Sequence, residues 1–85
     1  MGKPIFNFDA NSPSITLREA EVLLCCARGM TIQQTSEQLI ISTKTVQRHR
    51  ENVKERFGIR GPNQLLKWAI SKQDMLGKWV NPPIV

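Results

Sequence analysis

The stretch richest in chemistry-bearing side chains is "ISTKTVQRHRENV", residues 41 to 53. It has no nucleophile beside a base and no metal-ligand spacing. It is crowded instead with cations, hydroxyls and amides. At 100° per residue Val46, Val53 and Phe57 share one side of a helix. Arg50 lies at the edge of that stripe, where its stem can pack while its head reaches water. Opposite lie Lys44, Gln47, Arg48 and Glu51, with Glu55 one turn further on. Arginine can bond guanine at two points, glutamine can bond adenine, and glutamate can accept from cytosine. Lys44, Gln47, Arg48 and Glu51 are therefore the predicted base-reading residues. Thr45, His49, Arg50, Asn52 and Lys54 flank that face, and Thr31 and Ser42 stand at the starts of two helical segments. These seven are the predicted phosphate contacts, which position a protein on a duplex without reading sequence. Two alternatives stay open: Glu51 pairing with Arg48 one turn away, and His49 as a partly buried structural residue. Glu55 would repel a phosphate, so the helix should have left the groove by its fourth turn.

Composition agrees with a polyanionic partner. Twelve Lys and Arg against seven Asp and Glu give a net charge of +5 and a pI near 9.8. The segment from Lys44 to Arg60 holds six of the cations and two of the acids, whereas Thr16 to Leu39 is slightly acidic. Such asymmetry speaks to association with nucleic acid rather than to fold. Eighty-five residues make one domain with a small core and no room for a deep catalytic cavity. The single histidine has no acid–base partner nearby in sequence, so neither an enzyme nor a cofactor or small-molecule site is expected. Cys25 and Cys26 are adjacent, which disfavours a disulfide between them. Buried free thiols in a reducing compartment are expected. No apolar run approaches membrane-spanning length, and the N-terminus lacks a signal-peptide pattern.

The elements that must hold the basic segment are marked by start and stop signals. Residues 1–14, "MGKPIFNFDANSPS", read as an irregular arm or linker whose Ile5, Phe6 and Phe8 can pack against something. Thr16 to Glu19 forms a capping box for a first helix, which runs to about Arg28 and stops at Gly29. Its inner stripe is Val22, Leu23 and Cys26. A second box at Thr31 to Gln34 starts a short second helix ending near Leu39. Ser42 caps the third helix, which reaches Phe57 and stops at Gly58. Gly61-Pro62 opens a fourth, at about 62–76, with proline at its first position and Leu65, Leu66, Ala69 and Leu76 inward. Only Ile40, Ile41 and Ser42 separate the second helix from the third, the outline of a helix-turn-helix. The small Ser36 suits the helix crossing. The reading is all-α, with a domain at 15–77 and an irregular tail at 78–85.

The joint spacing of these residues resembles the LuxR-type (GerE-like) helix-turn-helix domain. The resemblance runs through Thr16, Arg18, Glu19, Glu21, Val22 and Leu23, then Gly29, Thr31, Leu39, Ile41 and Ser42. It continues through Thr45, Val46, His49, Asn52, Val53, Gly58 and Ile59. It implies a four-helix DNA-binding domain of a bacterial transcription regulator, with the third helix in the major groove and the fourth in a dimer contact. A cytoplasmic, nucleoid-associated location follows from the same resemblance. Several positions depart from the pattern. Gln34-Thr35-Ser36 stands where Glu-Ile-Ala is usual, which predicts looser packing of the second helix. Pro62 replaces an arginine near the start of the fourth.

Two other classes of function compete. One is promoter binding of the kind made by region four of a sigma factor; the Thr45-Val46, His49 and Asn52-Val53 spacing favours the LuxR type. The other is an interaction module that pairs with another regulator through the fourth helix. Trp68, Ile70 and Met75 lie off that helix's inward stripe and form the expected dimerisation residues. A second copy of the helix or the chain's own Ile5, Phe6 and Phe8 could cover them. Met1 and the short arm are compatible both with a whole protein and with the output end of a longer one.

Overall fold

The computed structural model describes residues 5–80. Residues 1–4 of the expected arm and 81–85 of the expected tail lie outside the described residues. The element order is β1 (Ile5–Asn7), β2 (Ser14–Thr16), α1 (Leu17–Ala27), α2 (Ile32–Leu39), α3 (Thr43–Phe57), α4 (Gln64–Ser71) and α5 (Gln73–Trp79). The protein is mostly helical, as its start and stop signals predict.

α1 is the central element. Thr16 and Glu19 close the capping box: Thr16 Oγ1 accepts from the Glu19 N–H at 3.1 Å, and Glu19 Oε1 accepts from the Thr16 N–H at 3.0 Å. Five consecutive residues, Val22 to Cys26, are buried. A helix buried on every side must be surrounded, and α1 touches β2, α2, α3, α4 and α5. The core gathers Ile15, Ala20, Leu23, Leu24, both cysteines, Val53, Leu65, Ala69, Leu76 and Val80. Both cysteines are free thiols, and burial pushes both above the ordinary thiol range.

The helix-turn-helix forms as its caps predict. Thr31 caps α2 and Ser42 caps α3 through their hydroxyl oxygens. Ser36 is buried, with Oγ donating to the Gln33 carbonyl at 2.7 Å. Thr35 is not loosely packed. It is buried, and its hydroxyl donates to the Thr31 carbonyl at 2.8 Å. Satisfying the hydroxyl within its own helix removes the cost of burying it. The turn itself passes through Ile40 at φ 57°, ψ 51°, a left-handed conformation. That region costs an ordinary L-residue roughly 1–2 kcal/mol, and a β-branched one is least at ease there.

Two parts differ from the sequence reading. The arm is not wholly irregular: β1 and β2 pair antiparallel, with Phe6 opposite Ile15. A turn joins them, in which Ser12 Oγ accepts from the Phe8 and Asp9 N–H groups and Asp9 Oδ1 accepts from the Asn11 N–H. The expected fourth helix is two short ones. Pro62 sits in a turn before α4 rather than at its first position, because Gly61 and Asn63 both have positive φ (95° and 63°) and interrupt the helical path. The path changes again at Lys72 (φ −104°, ψ 6°), which ends α4 and precedes α5. That bend turns Leu76 and Val80 onto α1. Lys78 and Trp79, placed in the tail by sequence, belong to α5.

Candidate nucleic-acid interface

α3 is positioned from both of its sides. Val46 and Val53 are fully buried against α1 and α2. On one flank Arg56 holds the helix to the start of α1. Its Nη1 and Nη2 donate to Glu19 Oε1 and Oε2 at 2.7 and 3.0 Å, and Nη1 also donates to the Ser14 carbonyl at 3.1 Å. One arginine thus ties α3 to α1 and to β2. Burial acts to raise the Glu19 carboxyl's pKa, but the hydrogen bonds from Arg56 and from the Thr16 N–H outweigh it. The group therefore sits below its ordinary value.

The four expected base-reading residues come together. Lys44, Gln47, Arg48 and Glu51 are all exposed, on the side of α3 away from Val46 and Val53. Glu51 does not pair with Arg48. Its Oε2 meets Lys54 Nζ at 3.5 Å, one turn toward the C-terminus. Among the described residues Arg48 and Lys44 have no ion-pair partner. Their charged heads are therefore available to a ligand without the cost of breaking a pair.

The seven expected phosphate residues divide into three groups. Thr31 and Ser42 are the exposed caps of α2 and α3, and Ser42 Oγ also lies 2.9 Å from Thr45 Oγ1. Arg50 and Lys54 are half-buried and line a cleft of about 560 Å³. That cleft runs between α3, the Gly29–Met30 turn and the 61–63 turn, and Gln47 and Glu51 share its wall. His49 and Asn52 face the other way. They line a recess with Thr16, Arg18, Glu19 and Glu21 at the first turn of α1. His49 is half-buried there.

The three expected dimerisation residues differ in exposure. Trp68 is half-buried against this chain's own rings: Phe8 at 5.4 Å and Phe57 at 4.8 Å between centroids. Met75 is half-buried, and Ile70 keeps 51% of its surface exposed.

Sequence reasoning missed Arg56 and its contact with Glu19. The capping role of Glu19 was legible because it is local. The arginine lies 37 residues away, and nothing in its immediate sequence marks it as a partner.

Residues 13–69 match the family described as bacterial regulatory proteins, luxR family. The oxygen regulatory protein NreC of Staphylococcus carnosus (strain TM300) is 29% identical over 70 residues, covering 76% of this chain and 32% of the relative. The protein of the same name from Staphylococcus aureus (strain JH9) is 29% identical over 59 residues, covering 69% of this chain and 27% of the relative. The chain thus spans 32% or less of the length of these two relatives. No solved structure matches the chain.

Proposed function

We propose that this chain, which belongs to the luxR family of bacterial regulatory proteins, reads a double-stranded DNA site with the first turns of α3 and regulates transcription from it. The family is one of DNA-binding transcription regulators. One observation carries the finer reading. Lys44, Gln47, Arg48 and Glu51 stand exposed on one face while Val46 and Val53 seal the opposite face into the core. A helix so divided can enter a major groove without exposing apolar surface, presenting donors and acceptors to base edges.

Arg50 and Lys54 on one flank and Asn52 on the other would then meet the strands bordering the groove. His49, turned toward α1, joins them only if the phosphate path passes the start of that helix. The caps Thr31 and Ser42 place the exposed N-terminal ends of α2 and α3 toward phosphate, with Thr45 beside Ser42. Ile70 supports a second element of the reading, a homodimer through α4 that places two copies of α3 on a pseudo-palindromic site. Trp68 contributes to it indirectly, by fixing α4 against the arm, and Met75 lies on the following helix. A chromosomal target places the protein in the bacterial cytoplasm, associated with the nucleoid.

Selection from a random pool of duplexes tests the reading. A consensus should emerge, bound with an affinity that falls with salt at a log–log slope near −0.9 per phosphate contact. A pool that yields no consensus would overturn base reading by α3. Sedimentation equilibrium tests the dimer: a monomer mass at every concentration, with or without the selected duplex, would remove it.

A further inference from the structure

Ile40 combines two properties that are each ordinary alone. An exposed apolar residue needs no explanation by itself, and a left-handed residue often ends a helix. Ile40 is 90% exposed, more than Ile5 at 61% or Ile70 at 51%, the other large exposed apolar residues among those described. It also holds φ 57°, ψ 51°, where glycine or asparagine rests more comfortably. An isoleucine buried at such a site would offset the strain by packing. This one has almost no contact to set against it, so within the folded chain its side chain is a net cost. Strain held without internal compensation marks a place where a partner can supply the missing contact.

The position narrows the partner. Ile40 ends α2 and lies two residues before Ser42, the cap of α3, and the run from Ser42 to Lys44 is exposed. On the reading above, the start of α3 enters the groove and Lys44, Gln47 and Arg48 meet the bases. A residue just outside that helix end meets the strand that borders the groove. An uncharged branched side chain cannot bond a phosphate, but it fits the C–H face of a deoxyribose.

We propose that Ile40 is a DNA-positioning residue whose side chain docks on the deoxyribose surface beside the groove filled by α3. The inference rests on the DNA-binding reading of α3. The contact adds affinity without neutralising a phosphate, so it leaves the salt slope unchanged. It also sets the depth at which the helix enters.

Two variants of the whole chain test it. Ile40→Gly should raise the melting temperature by about 5 °C by relieving the left-handed strain. The same variant should bind the selected duplex about tenfold more weakly, as expected for losing a partly buried aliphatic side chain. Its salt slope should match the original. Ile40→Leu keeps an apolar side chain and should stay within about twofold in affinity, since volume-conserving apolar swaps cost little. The difference between Ile40→Gly and the original chain should persist on a duplex carrying uracil in place of thymine. A glycine variant that binds as tightly as the original overturns the proposal. A leucine variant as weak as the glycine one shows that the turn's geometry, not an apolar contact, sets affinity. A difference that vanishes on the uracil duplex moves the contact to thymine methyl groups and overturns the deoxyribose assignment. If the unaltered chain binds no duplex, the reading of α3 falls and takes this one with it.

Discussion

The outer face of α3 and the aromatic cluster beneath the N-terminal hairpin are built by opposite means. On α3, Lys44, Gln47, Arg48 and Glu51 lie within eight positions of one another, and helix geometry alone brings them to one side. The cluster joins Phe6 of β1, Phe8 beyond it, Phe57 of α3, Trp68 of α4 and Trp79 of α5. These are all three phenylalanines and both tryptophans of the chain. Phe6 stacks on Trp79 at 5.0 Å, with ring planes only 11° apart, and Phe8 touches Phe57, Trp68 and Trp79. Three of the five rings come from segments outside the stretch matched to the family, so the two flanks of that stretch meet each other. One region keeps its polar side chains exposed, with Glu51 alone among the four paired, to Lys54; the other concentrates aromatic surface where the arm closes over the helices. In a chain too short for a large core, this division lets the exposed face of α3 vary without loosening the fold.

Substitutions can break or sharpen that contrast. The largest effect belongs to the joint between the two regions. Arg56→Ala leaves the Glu19 carboxylate buried without its partner and should cost about 2–3 kcal/mol. That lies between the losses typical of buried and exposed pairs, because the arginine is about one-third exposed (34%). Chemical denaturation measures it, and a loss below about 0.5 kcal/mol would show that the pair does not hold α3. The pair also fixes a pH dependence. The folded-state pKa of Glu19 is lowered, so its contribution is complete above the ordinary carboxylate range. That contribution is lost as pH falls through and below the range. Glu19→Gln should flatten this acid limb of the stability profile; an unchanged limb would place the acid sensitivity elsewhere.

Next comes the cluster. Phe8→Ala removes the ring that touches three others and should cost about 2 kcal/mol, less than a fully buried phenylalanine would because the site is half-buried. Tryptophan emission should shift red, while base preference on DNA stays the same. A changed preference would show that the two regions are coupled. Smaller still is Arg48→Ala, which should weaken binding to the selected duplex by about 1–2 kcal/mol and relax one base position. Its melting temperature should stay within about 1 °C, as for an exposed side chain without an internal partner. A drop of several degrees would mean that Arg48 serves the fold. The least effect is that of Lys54→Ala: a salt slope flatter by about 0.9, with all sequences weakened alike. An unchanged slope would leave Lys54 to its pairing with Glu51.

How much could be read beforehand follows the same contrast. The caps at Thr16, Thr31 and Ser42 and the stops at Gly29 and Gly58 were legible because each acts within one turn of its own position. The exposed set on α3 was legible because Val46 and Val53 define its opposite side. Pairing of Glu51 with Lys54 rather than Arg48 was not legible, since both cations lie three residues away along the same helix. Rotamers set by surrounding packing choose between them. Sequence leaves open whether Trp68 is covered by a second copy of the helix or by the arm, and it is the hairpin folding back that brings Phe8 against it.

By itself, then, the sequence determined the ends of the first three helices, the helix-turn-helix outline and the polar face of α3, because hydrogen-bonded caps and a 3.6-residue period are local properties. Tertiary structure alone decided that β1 pairs with β2 and that the fourth helix divides at Lys72 so that Leu76 and Val80 reach α1. It alone decided that Arg56 finds Glu19 and that five scattered aromatic rings meet. Each of these joins residues far apart in the chain, and the contact exists only after the loops between them have closed and their entropy has been offset by burial.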